Sequence, residues 1–186
     1  MTHVRYFTAM SLDGYLADAD GSLDWLFAVP GEGTDASFRD FLDGVGVLAM
    51  GATTYEWVLR HEPLLEEPGR WQGWYGDRPT WLFSHRDLPL VPGADIRLVA
   101  GDPRVAHRDM LSAAGGRDVW LVGGGDLAGR FADAGLLDEL VLSVAPVLLT
   151  GGAPLLPRRL EGRLRLTAAS QAGAFAALRY AVDPPR

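Results

Sequence analysis

The chain has 186 residues, enough for one domain with a sizeable core and too few for two of ordinary size. Hydrophobic residues at 48% and charged ones at 22% exclude intrinsic disorder, and a net charge of -7 argues against nucleic-acid and anionic-membrane partners. There is no Cys and all 17 basic residues are Arg, which excludes disulfides, thiolate nucleophiles, Cys-held metals, Schiff-base lysines and a Walker A loop. The first residues do not form a basic region followed by an apolar run, and no stretch approaches about 18 apolar residues, so a cytoplasmic single domain is expected over 1–186.

A strand is predicted over 4–10, running into the turn Ser11-Leu12-Asp13-Gly14 and a long loop with a second turn at Asp20-Gly21-Ser22. Residues 35–43 read as a helix, because Phe38, Phe41 and Leu42 recur at i, i+3 and i+4. The continuous apolar run 45–50 marks a buried parallel strand that Gly51 ends, with a helix over 53–60 behind it. Pro63, Pro68, Gly69 and Gly73 then predict an irregular stretch up to a strand at 80–84. Strand 96–99, helix 104–114, strand 119–122 and helix 127–134, closed by Gly135, continue the alternation of a doubly wound α/β sheet. Strands 140–149, 164–172 and 175–182 follow without helices, so the sheet should end in an antiparallel hairpin turned at Ala172-Gly173-Ala174.

Three strand ends carry chemistry, two of them at strand-to-helix junctions. Gly123-Gly124-Gly125 opens a helix with free N–H groups and the positive end of its dipole, which suits a phosphate, and equally suits a tight turn. Gly51-Ala52-Thr53-Thr54 does the same after the strand at 45–50, where Thr53 also reads as a plain N-cap. Ser84-His85-Arg86 adds an Arg that can stack on adenine, pair with a phosphate or stay solvated. All three open on the carboxyl edge of the sheet, where a dinucleotide spans two helix N-termini. The four His residues lack metal-ligand spacing, and no metal is expected.

The motifs Ser11-Leu12-Asp13-Gly14-Tyr15-Leu16-Ala17, Gly51-x-x-Thr54-Tyr55-Glu56, Val119-Trp120-Leu121-Val122-Gly123-Gly124-Gly125, and Ala134-Gly135-Leu136-Leu137-Asp138-Glu139-Leu140 leading into Ser143-Val144-Ala145-Pro146 stand in register over about 140 residues. In this the chain resembles the dihydrofolate reductase-like family, specifically the C-terminal reductase domain of the bifunctional riboflavin-biosynthesis enzyme and its small stand-alone relatives. The resemblance implies a three-layer sandwich with a mixed, mostly parallel sheet, helices on both faces and an antiparallel C-terminal hairpin. It implies an oxidoreductase that takes a hydride from NADPH, with Ala9, Gly51, Thr53, Thr54, Ser84, Arg86, Val122, Gly123, Gly124, Gly125, Asp126 and Leu127 along the cofactor. Where the family commonly has an Arg after the first glycine this chain has Ala52, which leaves NADH open and makes Arg86 the nearest replacement.

The implied substrate is a small heterocycle of pterin or ribosylaminopyrimidine type. Folate reducers place a carboxylate on the helix after the first loop, and Asp13 and Asp35 are the proton-donor candidates, with a turn former and a helix cap as their ordinary alternatives. The resemblance also implies a cis peptide between Gly123 and Gly124 and, with the apolar run at 140–149 and the edge strands after it, a homodimer. A non-catalytic nucleotide- or heterocycle-binding protein of the same fold is the competing expectation.

Overall fold

The computed structural model describes residues 2–31 and 34–185, with residues 34–37 described in their backbone only. Among these residues eight strands form the main sheet: β1 (Val4–Ser11), β3 (Val45–Gly51), β4 (Thr80–Phe83), β5 (Ile96–Val99), β6 (Asp118–Gly123), β7 (Glu139–Ala145), β9 (Leu164–Ala172) and β10 (Phe175–Val182). Their order is β5-β4-β3-β6-β1-β7-β10-β9. The first six are parallel, and β10 returns antiparallel between β7 and β9. A small second sheet pairs β2 (Tyr15–Ala17) with β8 (Ala153–Pro154).

Among the described residues six helices connect these strands: α1 (Asp24–Phe27), α2 (Thr34–Asp43), α3 (Ala52–His61), α4 (Gly69–Tyr75), α5 (Pro103–Ala114) and α6 (Gly125–Asp133). They divide between the two faces, because alternate strand residues enter two separate cores. Val47 and Ala49 of β3 pack with Met110 of α5 and Phe131 of α6, while Leu48 and Met50 pack with Tyr55 of α3 and Trp71 of α4. Burial on both faces is what makes 45–50 a run without polar positions. On the second face Phe7, Phe38 and Phe41 surround Trp120, with the Phe41 and Trp120 centroids 5.7 Å apart at 88°. Edge-to-face pairs of this kind contribute beyond the area they bury.

Local sequence sets the helix ends. Asp102 caps α5 by accepting from the Arg104 N–H at 2.8 Å, Pro103 follows it, and Gly115 closes the helix at φ 60°. The stretch expected to be irregular contains α4. Gly69 and Gly73 weaken its propensity, but Trp71 and Tyr75 stand at i and i+4 and are buried, so packing overrides the glycines. The strand expected to reach residue 149 stops at Ala145, because Pro146 has no N–H for the ladder. The hairpin of β9 and β10 matches the expectation, with Phe175 opposite Ala172, and the Gly123-Gly124 peptide is cis.

β3 lies close to α5 because Gly46 has no side chain. A Cβ built there would sit 2.4 Å from the Ala114 carbonyl oxygen, a contact that only backbone movement relieves. Gly46→Ala should therefore destabilise the protein by about 1–3 kcal/mol, seen as a lower urea midpoint at unchanged slope and a fall of about 2–12 °C in Tm.

Candidate functional site

The sheet makes its site where β3 and β6 lie side by side. Both strands end in glycine at the same edge, yet the helices that follow leave on opposite faces: Tyr55 and Val58 of α3 enter one core, and Leu127, Ala128 and Phe131 of α6 enter the other. Divergence of this kind opens a crevice at the carboxyl ends of the strands, the usual ligand position in an open α/β sheet. A cleft of about 910 Å³ lies there.

All twelve residues expected along a cofactor line this cleft. Ala9 of β1 borders it at the centre; Gly51, Thr53 and Thr54 form one wall, and Val122 through Leu127 form the other. Ser84 and Arg86 stand at the far end, beyond β4. The N-cap residues, Gly51 for α3 and Gly124 for α6, provide no side-chain cap, so the first-turn N–H groups remain available to a ligand. Glycine keeps this turn narrow. A Cβ on Gly123, whose φ is 155°, would lie 2.9 Å from Thr54 Oγ1, and one on Gly125 would lie 2.5 Å from the Pro154 and Leu155 carbonyl oxygens. Gly124 differs: a Cβ there would meet only Thr54 Oγ1, at 3.6 Å, and would otherwise occupy open space.

The charge at the site is mixed. Arg60, Arg86 and Arg130 line the cleft together with Asp20 and Asp126, against a net charge of -7 for the chain. Arg86 Nη2 holds Glu56 Oε2 at 2.8 Å, and Arg130 donates to the Gly101 carbonyl while lying 6.0 Å from the Phe83 ring centre. Arg60 has no ion-pair partner among the described residues. Tyr6 borders the cleft with its hydroxyl donating to the Leu155 carbonyl at 3.4 Å, and burial pushes its pKa well up, so it stays a neutral phenol.

Part of the cleft lining is apolar and was not expected from sequence. Leu16 and Ala17 of β2, with Leu23 and Leu26, form it together with Trp57. Trp57 stacks on His61 at 4.0 Å and 17°, and the Phe27 ring centre lies 6.4 Å away at 24°. Trp71 and Tyr55 lie in the core rather than in the cleft. Among the described residues no group of three His, Asp or Glu could hold a metal.

Of the two expected proton donors, Asp13 does not line the cleft. Asp35 falls in the first turn of α2, and its side chain lies outside the described residues. Asp13 is exposed and ties two loops together, accepting from Ser11 Oγ at 2.6 Å, from the Leu149 N–H at 3.1 Å and from the Thr150 N–H at 2.7 Å. Thr150 sits at φ 60°, so Asp13 holds a turn that a non-glycine residue adopts at a cost. The hydrogen bond from Ser11, aided by those from Leu149 and Thr150, lowers the Asp13 pKa. A lowered folded-state pKa means stability that is present above the ordinary carboxylate value of about 3.9 and lost as pH falls through the lower folded value. Asp13→Asn should thus reduce the urea midpoint at pH 7 and flatten its decline below about pH 4, measured as midpoint against pH.

The chain matches the model of the RibD C-terminal domain family over residues 74–174. It is 31% identical over 175 residues, 94% of each chain, to the uncharacterized protein YwjB of Bacillus subtilis. Among solved structures it is similar to a putative riboflavin biosynthesis protein from Shewanella sp. PV-4, with TM-score 0.78, 29% identity and coverage of 98% of this chain and 99% of that one. The fold extends to dihydrofolate reductase from Enterococcus faecalis, at TM-score 0.60, 13% identity and coverage of 97% and 96%. With the family model matching more than half of the chain and YwjB aligned along nearly all of it, the chain belongs to the RibD C-terminal domain family.

Proposed function

We propose that this protein is an NADPH-dependent reductase of a small heterocyclic substrate. The observation that carries the reading is the pair of uncapped helix N-termini, α3 and α6, facing each other across a glycine-lined cleft. The reductase-like family and the solved dihydrofolate reductase with bound NADP(H) support the reaction class. A nicotinamide bound here supplies a hydride. In this reading the first turns of α3 and α6 hold the pyrophosphate, and Arg86 and Arg130 flank the adenosine end. Ala9 leaves room for the nicotinamide beside β1, and the Leu16, Leu23, Leu26 and Trp57 wall excludes water from the reacting ring. Arg60 lies one turn beyond Trp57 on α3 and meets an anionic arm of the substrate. Ala52 offers no charge to a 2′-phosphate, so discrimination against NADH rests on Arg86 and Arg130 and is modest.

Fluorescence titration with NADPH and with NADH tests the cofactor assignment, and the absence of saturable binding of either up to millimolar concentration rejects it. Gly124→Ala should weaken NADPH binding at least about tenfold with Tm nearly unchanged, because its methyl group enters open cleft, whereas Gly125→Ala should lower Tm through collision with the strap at Pro154 and Leu155. A second reading, binding without turnover, is favoured by Asp13 serving as a loop clasp rather than a cleft acid. Saturable nucleotide binding with no oxidation of NADPH over a panel of pterins and ribosylaminopyrimidines would select it.

We also propose that β9 pairs two copies of the chain. It is the edge of the sheet, nine residues long and exposed along nearly all of it, including Leu164 and Leu166. Light scattering should return twice the chain mass of 20.1 kDa, and a monomer mass at micromolar concentration would remove the dimer.

A further inference from the structure

The segment that follows β8 runs as a strap over α6, and Arg158 fastens it. Leu155 donates its N–H to the Gly14 carbonyl at 2.9 Å, while the Pro154 and Leu155 carbonyls press on Gly125 in the first turn of α6. The Arg158 side chain then lies along the helix. Its Cγ occupies the groove left by Gly129, where a Cβ would come within 2.8 Å. Nη2 reaches Asp126 Oδ1 at 3.0 Å, Nε reaches Asp133 Oδ2 at 2.7 Å, and Nη1 donates to the Pro157 carbonyl at 2.9 Å.

Asp126 makes this arrangement consequential. It is the second residue of α6 and borders the cleft, with a side chain 69% exposed. A carboxylate in the first turn stabilises a helix whose N-terminus is empty, but it repels any anion that binds the same turn. Asp133 creates the opposite fault, a negative charge in the last turn. One guanidinium answers both. We propose that Arg158 is a positioning residue for cofactor binding: by pairing with Asp126 it cancels the charge beside the α6 first turn and fixes that carboxylate away from a bound pyrophosphate. The proposal rests on the reductase reading above, since it needs an anion at α6, but it concerns a residue outside the cleft lining.

Titrations with NADPH on the full chain test it with four variants. Arg158→Gln should weaken binding about tenfold at about 50 mM salt and less at about 500 mM, because the unmasked Asp126 charge is screened. Asp126→Asn should bind at least as tightly as the parent. The double variant Arg158→Gln/Asp126→Asn should return to within about twofold of Asp126→Asn, since the charge that Arg158 neutralises is then gone. Arg158→Lys, which keeps the charge but not both contacts, should fall within about threefold of the parent. A role confined to bracing the strap predicts the reverse: a loss independent of salt, unrescued by Asp126→Asn and equal in Arg158→Lys, and that pattern overturns the proposal. Parent protein that binds no NADPH overturns the reductase reading and this proposal together, whereas a parent that binds and an Arg158→Gln variant that binds equally well overturn this proposal alone.

Discussion

Two adjacent parallel strands that send their helices to opposite faces constrain everything else in this molecule. The seam between β3 and β6 depends on glycine at its β6 end: a Cβ on Gly123 would lie 2.9 Å from Thr54 Oγ1, whereas one on Gly51 would make ordinary contact at 3.5 Å with the Gly123 carbonyl and the Gly124 nitrogen. From this seam α3 and α6 diverge, each buried in its own core, so neither can swing across to fill the gap or cap the other. The gap is therefore permanent, polar at its walls through backbone N–H groups, and wide enough for a ligand. A hydrophobic core dictates the position of a cleft here.

The remaining architecture serves to border that gap. β1 occupies the middle of the sheet beside β6, and its end carries Ala9 into the cleft floor before the chain turns at Asp13. The clasp from Asp13 to Leu149 and Thr150, the short pairing of β2 with β8, and the strap pinned by Arg158 join the first loop to the segment after β7. Contacts separated by more than 130 residues in sequence thus build one side of the cleft. The other side belongs to α3, whose Thr53, Trp57 and Arg60 form a single stripe at spacings of four and three.

How much of this was legible in the sequence follows from how local each signal is. Nine of the twelve positions expected along a cofactor sit on the strand-to-helix junctions after β3 and β6, where buried apolar runs meet glycine within a few residues, while Ala9 lies within β1 and Ser84 and Arg86 follow β4. The strand order could not, but the alternation of strands and helices followed by three strands without helices reproduces the parallel sheet and its antiparallel hairpin. Leu16, Asp20, Leu23 and Leu26 line the cleft from the loop that β2, paired with β8, begins, a placement with no local trace. Trp57, Arg60 and Arg130 carry a local signal, the helical stripe one or two turns beyond a glycine-opened helix start. α4 was hidden by its own glycines, and Asp13 combined the right residue type and loop with a carboxylate already committed to three donors.

Amide hydrogen exchange with and without saturating NADPH addresses the central claim, that the open seam between β3 and β6 is the nucleotide site. Binding at the uncapped helix N-termini predicts protection confined to residues 51–54, 84–86 and 122–127, with β9 and the opposite edge of the sheet unchanged. Saturation that leaves 51–54 and 122–127 exchanging as in the free protein, with protection elsewhere, would contradict it.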